Sequence, residues 1–247
     1  MRPEPLRVCR PPRRHSTFHA SAAARAVALG PAYTRSMAPK KPTNREIEIK
    51  LRVNSLPETI HRLRQIGAVN HGRAFEENTL YDTPDAAFRN SGRLLRLRTE
   101  TLANGQRRAL LTAKAPVSQA RPKRPKRGPK HKERLEREAT VLDPRRLTRL
   151  FKAIGLRPSF RYEKYRTSFR LPGLHLDLDE TPVGTFLELE GRPAAIDRVA
   201  RTLGYSLSDY IRVTYWDLYA ADRRRRRLPL KNMVFARTKS RKHALFP

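Results

Sequence analysis

The chain has 247 residues, of which 54 are Lys or Arg and 23 are Asp or Glu, giving a formal net charge of +31, and it has one cysteine, Cys9. A single cysteine excludes an intramolecular disulfide framework and fits a reducing, cytoplasmic setting. No apolar run approaches the roughly 18 residues that a membrane span needs.

Such a charge suggests a nucleic-acid binder, but it is unevenly spread. Residues 1–42 carry nine bases and one acid, residues 116–134 eight and one, and residues 221–247 ten and one. The rest holds 27 bases and 20 acids, a net of +7, over enough chain for one domain with its own core. We therefore expect a basic disordered leader (1–42), a folded domain (43–220) interrupted by a basic Pro-rich insert (116–134), and a basic disordered tail (221–247). The leader shows no periodicity. Its Arg- and Ser-containing, acid-poor composition is compatible with an organelle transit peptide. Met37, directly before Ala38-Pro39-Lys40-Lys41, reads equally well as the start.

Within the domain, Arg45 to Val53 alternates strictly. Ile47, Ile49, Leu51 and Val53 take one face and Glu46, Glu48, Lys50 and Arg52 the other, the pattern of a strand with one buried side. Ser55 then stands three residues before Glu58, with Pro57 in the first turn. Leu56, Ile60, Leu63 and Ile66 follow at helical spacing up to Gly67. Thr79 to Thr83 reads as a short extended piece stopped by Pro84. Arg93–Glu100 and Arg107–Ala115 are strands joined around Asn104-Gly105, a strong hairpin signal.

After the insert, Leu135–Leu142 is a strand. Asp143-Pro144 opens a helix carrying Leu147, Leu150, Phe151 and Ile154. Strands follow at Phe160–Leu171, Leu174–Asp179 and Thr185–Glu190. A third helix starts at Pro193, and a fourth runs from Ser208 to about Ala221. Strand, helix, then strands occurs twice. The expected fold is α+β, an eight-stranded antiparallel sheet or barrel with about four helices.

The polar face of these strands carries strong charges of both signs, two residues apart. Glu46, Glu48 and Lys50 share a face, as do Arg96 and Arg98, Thr112 and Lys114, Glu136 and Glu138, Lys164 and Arg166, Asp177 and Asp179, and Glu188 and Glu190. Residues at i and i+2 of a strand point the same way. One pair would be an ordinary solvated surface. Seven strands sharing the pattern point to a curled sheet whose charged face lines an interior, tolerable only if filled by water, metal and a polyanion. Carboxylate oxygens suit Mg²⁺ or Mn²⁺, and Lys and Arg suit phosphate oxygens. His/Cys metal sites, a phosphate-binding glycine loop, Gly-x-Ser-x-Gly and a dinucleotide fingerprint are not found. Retaining-glycosidase carboxylates fit poorly beside so many cations.

Glu46-Ile47-Glu48-Ile49-Lys50 resembles the Glu-x-Glu-x-Lys signature of the CYTH superfamily, the triphosphate tunnel metalloenzymes. Tyr81-Asp82-Thr83-Pro84, Leu95-Arg96-Leu97-Arg98, Leu111-Thr112-Ala113-Lys114, Glu136-Arg137-Glu138, Lys164-Tyr165-Arg166 and Gly184-Thr185-Phe186-Leu187-Glu188-Leu189-Glu190 follow in order. The resemblance covers residues 44–220 and is closest to the class IV adenylyl cyclase branch.

It implies an eight-stranded antiparallel tunnel with a charged interior, holding a triphosphate with Mg²⁺ or Mn²⁺. Glu46, Glu48, Glu136, Glu138, Asp179, Glu188 and Glu190 would be metal ligands or orient metal-bound water. Lys50, Arg96, Arg98, Lys114, Lys164 and Arg166 would hold phosphates, with Lys50, Lys164 and Arg166 as the catalytic set. Asp177, Arg52 and Arg170 share the parity outside the firmest positions. Tyr81 and Asp82 stand near the expected mouth, Tyr81 more as a packing residue.

The implied reaction is ATP to cyclic AMP and pyrophosphate. The alternative is hydrolysis of tripolyphosphate, thiamine triphosphate or a nucleoside triphosphate. The expected partner is that small molecule, with a homodimer compatible and no membrane. Nucleic acid would be reached only through the basic insert and tail, a more distant reading.

Overall fold

The computed structural model describes residues 45–117 and 130–236. The expectations for the leader, for most of the insert and for the last residues of the tail lie outside the described residues.

The elements, in chain order, are β1 (Arg45–Val53), α1 (Leu56–Gln65), β2 (Val69–Asp82), α2 (Ala87–Asn90), β3 (Leu94–Leu102), β4 (Arg107–Pro116) and β5 (Lys132–Val141). After these come α3 (Pro144–Ala153), β6 (Arg157–Leu171), β7 (Leu174–Thr181), β8 (Gly184–Gly191), α4 (Pro193–Thr202), a 3₁₀ turn (Leu207–Asp209) and α5 (Tyr215–Arg225). The eight strands close into one barrel in the order β1-β5-β4-β3-β2-β6-β7-β8, with every strand pair antiparallel. Hairpins supply most neighbours. The β2–β6 pairing joins distant parts of the chain and is the longest, from Val69 opposite Arg170 to Asp82 opposite Arg157.

Local chemistry sets the first helices as expected. The Ser55 hydroxyl accepts from the Glu58 N–H at 3.4 Å, and the Asp143 carboxylate accepts from the Arg146 N–H at 2.8 Å. Gly67 and Gly155, at φ +80° and +86°, take the left-handed conformation that ends α1 and α3.

The outer face of β1, β7 and β8 is the main core. Ile49, Leu51, Leu176, Leu178, Leu187 and Leu189 are fully buried there beneath Leu63 of α1, Ile196 and Ala200 of α4, and Leu203 directly after it. Each such leucine or isoleucine contributes roughly 1.5–3 kcal/mol. A one-residue slip of any of these strands would turn that set inward and the charges outward, so the apolar face dictates which face lines the barrel. Phe151 of α3 packs on Tyr81, Leu97 and Leu156. Tyr215 and Tyr219 of α5 pack with Phe160, Tyr162, Phe186 and Met233.

The structure corrects several boundaries. β2 begins at Val69, ten residues before the expected extended piece. Val69-Asn-His-Gly-Arg-Ala-Phe has no clean alternation, and β6 holds it in place. β5 begins at Lys132, within the expected insert. The expected fourth helix is two elements. Ser206 with Asp209 and Thr214 with Asp217 form separate capping boxes. Between them Ile211 exchanges backbone hydrogen bonds with Lys50 at 2.9 and 2.8 Å. With the short α2, five α-helices stand among the described residues rather than four.

Nor does the folded domain stop at residue 220. α5 continues to Arg225, and Met233 is buried (1% exposed). The Met233 N–H donates to the Arg161 carbonyl and its own carbonyl accepts from the Glu163 N–H, both at 2.9 Å. That pairing takes up an edge of β6 which β7 does not reach. Among the described residues no helix is long and apolar enough to cross a membrane.

Met233→Ala is expected to lower stability by about 2–4 kcal/mol. Leu142→Ala, at a side chain that is 98% exposed, should cost less than about 0.5 kcal/mol. Chemical denaturation of both variants measures this. Equal small losses would show that the segment after α5 does not belong to the fold.

Candidate active site

The barrel encloses a cavity of about 560 Å³. Of the thirteen site residues expected from the sequence, twelve line it: Glu46, Glu48, Lys50, Arg96, Arg98, Lys114, Glu136, Glu138, Lys164, Arg166, Glu188 and Glu190. They come from six strands, and the closed register brings their shared face together.

The densest contacts lie around Lys50, Lys164 and Arg166. The Lys50 ammonium is 3.0 Å from Glu48 Oε1 and 3.1 Å from Glu188 Oε1. Lys164 Nζ donates to Asp179 Oδ2 at 2.7 Å and stands 3.5 Å from Glu76 Oε2. Arg166 donates from Nε and Nη2 to Asp179, both at 2.7 Å, reaches Asp177 with Nη1 at 2.8 Å and also pairs with Glu188. Tyr215 of α5 fits between the two lysines, its ring centroid 5.3 Å from Lys50 Nζ and 5.2 Å from Lys164 Nζ. Its hydroxyl donates to Asp179 Oδ2 at 2.7 Å.

Asp179 is the exception among the thirteen. It is fully buried and does not line the cavity. Its oxygens are taken up by Lys164, Arg166 and Tyr215, so it positions two cations instead of presenting a free oxygen to a metal ion.

A second wall carries Arg96, Arg98 and Lys114. Arg96 donates to Thr112 Oγ1 at 3.1 Å and to the Tyr162 hydroxyl at 3.3 Å. Arg98 donates to Asn78 Oδ1 at 3.1 Å and pairs with Glu76 at 3.1 Å and Glu100 at 3.2 Å. Lys114 pairs with Glu46 at 2.6 Å and Glu136 at 3.2 Å, while Lys132 pairs with Glu48 at 2.6 Å.

The carboxylates divide by how much positive charge faces them. Burial disfavours ionisation of Glu188, but Lys50, Lys164 and Arg166 outweigh it and hold the carboxyl well below its ordinary value. Glu48 is lowered in the same way, chiefly by Lys50. Glu46 and Glu190 go the other way. Burial raises Glu46 to about 6, with Glu48 and Glu136 adding and Lys114 opposing. Burial raises Glu190 to about 7, with Glu46 the next cause.

One side of the cavity is therefore rich in oxygen donors and short of positive charge. Among the described residues no three acids form a ready-made metal cage. Mg²⁺ does not need one, because it commonly binds through one or two carboxylates, waters and substrate phosphates. Glu46, Glu48, Glu136 and Glu190 fit such an ion by donor chemistry, and Glu46 and Glu190, both raised, face too little positive charge of their own.

Sequence reasoning missed Glu76, Asn78, Lys132, Arg134, Tyr162 and Tyr215. Lys132, Arg134 and Tyr162 were within reach: counting back by twos from Glu136 and from Lys164 lands on them. Glu76 and Asn78 carried no such signal, because β2 does not alternate visibly. Of the borderline residues, Asp177 faces Arg166, Arg52 stacks on Phe186 at 4.8 Å, and Arg170 pairs with His175. Tyr81 is a packing residue, edge-on to Phe151. Asp82 accepts from the N–H groups of Thr83, Phe88 and Arg89, which shapes the loop carrying α2.

The barrel fold is shared with known proteins. The model of the family described as the CYTH domain matches residues 44–215, and this chain belongs to that family. A Methanocaldococcus jannaschii protein provisionally named an adenylate cyclase is 24% identical over 184 residues, spanning 70% of this chain and 97% of the relative. A Vibrio parahaemolyticus structure, also provisionally titled an adenylate cyclase, has a TM-score of 0.59 at 19% identity and covers 71% of this chain and 97% of its own. A Pyrococcus horikoshii structure has a TM-score of 0.56 at 25% identity and covers 70% and 98%.

Glu190 gives a pH prediction. Its folded value of about 7 lies above the ordinary 4.5, so the folded state holds its proton more tightly than the unfolded state does. Its contribution to stability is full below about 4.5 and is lost as the pH rises toward 7. In metal-free buffer, Glu190→Gln should gain in thermal stability relative to wild type between pH 5 and pH 7.5. A difference that stays constant across that range contradicts the assignment.

Proposed function

We propose that the cavity binds a triphosphate together with Mg²⁺ or Mn²⁺ and promotes attack on one of its phosphorus atoms, as in class IV adenylyl cyclases: ATP to cyclic AMP and pyrophosphate. The observation that carries this is the convergence of Lys50, Arg96, Arg98, Lys114, Lys164 and Arg166 on one cavity of the closed barrel, which also holds carboxylates. A chain of phosphates is the small-molecule class whose charge density matches so many inward cations. The provisional cyclase names of the relatives support the choice of reaction.

In this reading the six cations grip the non-bridging oxygens and neutralise charge that grows on the leaving phosphates. Asp179, Tyr215 and Glu76 hold Lys164 and Arg166 from behind, so little reorganisation is needed as charge develops. A bound divalent ion, held by Glu46, Glu48, Glu136 and Glu190 with Glu138 and Glu188 nearby, would lower the pKa of the attacking hydroxyl or water. Attack by the ribose 3′-hydroxyl on the α-phosphorus expels pyrophosphate and closes the cyclic diester. Attack by water on the terminal phosphorus releases orthophosphate, and the same cations would serve that triphosphatase reaction.

The test is to incubate the protein with ATP, thiamine triphosphate and tripolyphosphate, with Mg²⁺ and with Mn²⁺, and to separate the products. Cyclic AMP with pyrophosphate is the expected outcome, and orthophosphate would identify the hydrolase. Lys50→Ala and Glu48→Gln should each lower turnover by about 10²-fold or more. Near-normal turnover in both variants, with folding intact, would sink the tunnel mechanism.

A further inference from the structure

The charged lining accounts for only part of the cavity. Along the inward face of β6 the residues run Arg166, Lys164, Tyr162, Phe160, so charge gives way to aromatic surface. Neighbouring strands change together: Leu80 of β2 stands opposite Phe160, and Leu94 of β3 lies two residues before Arg96. The wall is completed here by Trp216 of α5, whose ring meets Phe160 edge-on at 4.8 Å. Arg89 of α2 covers the indole face, its guanidinium carbon 4.5 Å from the ring centroid. Trp216, Arg89, Phe160 and Leu80 line the same cavity as Lys164 and Arg166.

The Leu80, Leu94, Phe160 and Trp216 surfaces at this end give a purely inorganic phosphate chain no gain, because its oxygens would lose water against apolar groups. A planar heterocycle gains stacking on the indole and on a guanidinium plane. Arg89 is suited to admit one. Its backbone N–H is fixed by Asp82 Oδ2 at 3.0 Å, while its side chain is exposed and can move off the ring.

We propose that Trp216 and Arg89 form a head-group subsite of the triphosphate site. A planar nucleobase lies between the indole and the guanidinium, with its phosphates running along β6 toward Lys164 and Arg166. Phe160 to Lys164 spans four strand residues, about 13 Å, enough for a sugar and the first phosphates. The proposal rests on the triphosphate reading above and narrows it to nucleoside triphosphates, against phosphate-only substrates.

Trp216 is the chain's single tryptophan, so its fluorescence reports on the subsite directly. The probes are α,β-methylene ATP and, as a phosphate-only ligand that resists hydrolysis, imidotriphosphate, both with Mg²⁺ and the full-length protein. The nucleotide analogue should change the Trp216 emission, and imidotriphosphate should bind by calorimetry with little change in it. Trp216→Leu should weaken the nucleotide analogue by roughly tenfold or more. Arg89→Met, at an exposed side chain that folding does not need, should weaken it several-fold. Both variants should keep the imidotriphosphate affinity of the wild type.

Unchanged nucleotide affinity in both variants, or equal loss for both probes, overturns the subsite. Wild-type binding of imidotriphosphate but not of the nucleotide analogue also overturns it and leaves the triphosphate reading standing. Binding of neither probe brings down both.

Discussion

Charges inside a closed barrel survive only if each meets its opposite at contact distance. Moving an isolated ammonium or carboxylate out of water costs on the order of 20 kcal/mol in the idealised limit and several kcal/mol after relaxation. Lys50, Lys164 and Arg166 are therefore each clamped by two or more carboxylates. Such a lining is mutually dependent. A polyanion entering the cavity takes cations away from their carboxylates, and the released carboxylates then need another positive charge. In the proposed reading, a substrate that brings a divalent ion would satisfy both demands together.

Closure itself is maintained from outside. The leucines and isoleucines of β1, β7 and β8 are buried under α1 and α4, and strand alternation then leaves their neighbours no direction but inward. The lining also has depth. Lys164 and Arg166 face the cavity, while Asp179, Glu76 and the Tyr215 hydroxyl stand behind them. That arrangement fixes the cations before any ligand arrives, and such preorganisation is what makes charge stabilisation effective in a site partly shielded from water. α5 contributes to both functions, since Tyr215 reaches Asp179 while Trp216 forms part of the mouth.

The cavity is not chemically uniform. Its carboxylate-rich side is short of cations, its centre is rich in them, and its far end is aromatic. This gradient follows single strands: β6 passes from Arg166 to Phe160 in alternate residues. In the proposed subsite, a site graded in this way would orient an elongated ligand having a charged end and a planar end, which a symmetric phosphate chain lacks.

By itself the sequence determined the parity of the strands. Glu46-Ile47-Glu48-Ile49-Lys50 and its counterparts could bury their apolar residues only by sharing one charged face, so an antiparallel sheet or barrel and twelve of the cavity residues were legible from alternation, while the eight-stranded tunnel came from the resemblance. The helix starts at Ser55 and Asp143 were legible too, because a cap is a local hydrogen bond. Tertiary structure decided what depends on distant partners. β2 is a strand along its whole length because β6 holds it, which brings Glu76 and Asn78 up behind the cations of the wall. Asp179 sits behind the wall because Tyr215, 36 residues further on, reaches its carboxylate. Trp216 meets Arg89 although no spacing links them. Alternation is written locally in the chain, whereas the depth of a side chain in a wall, and what it faces across a cavity, exist only once the barrel has closed.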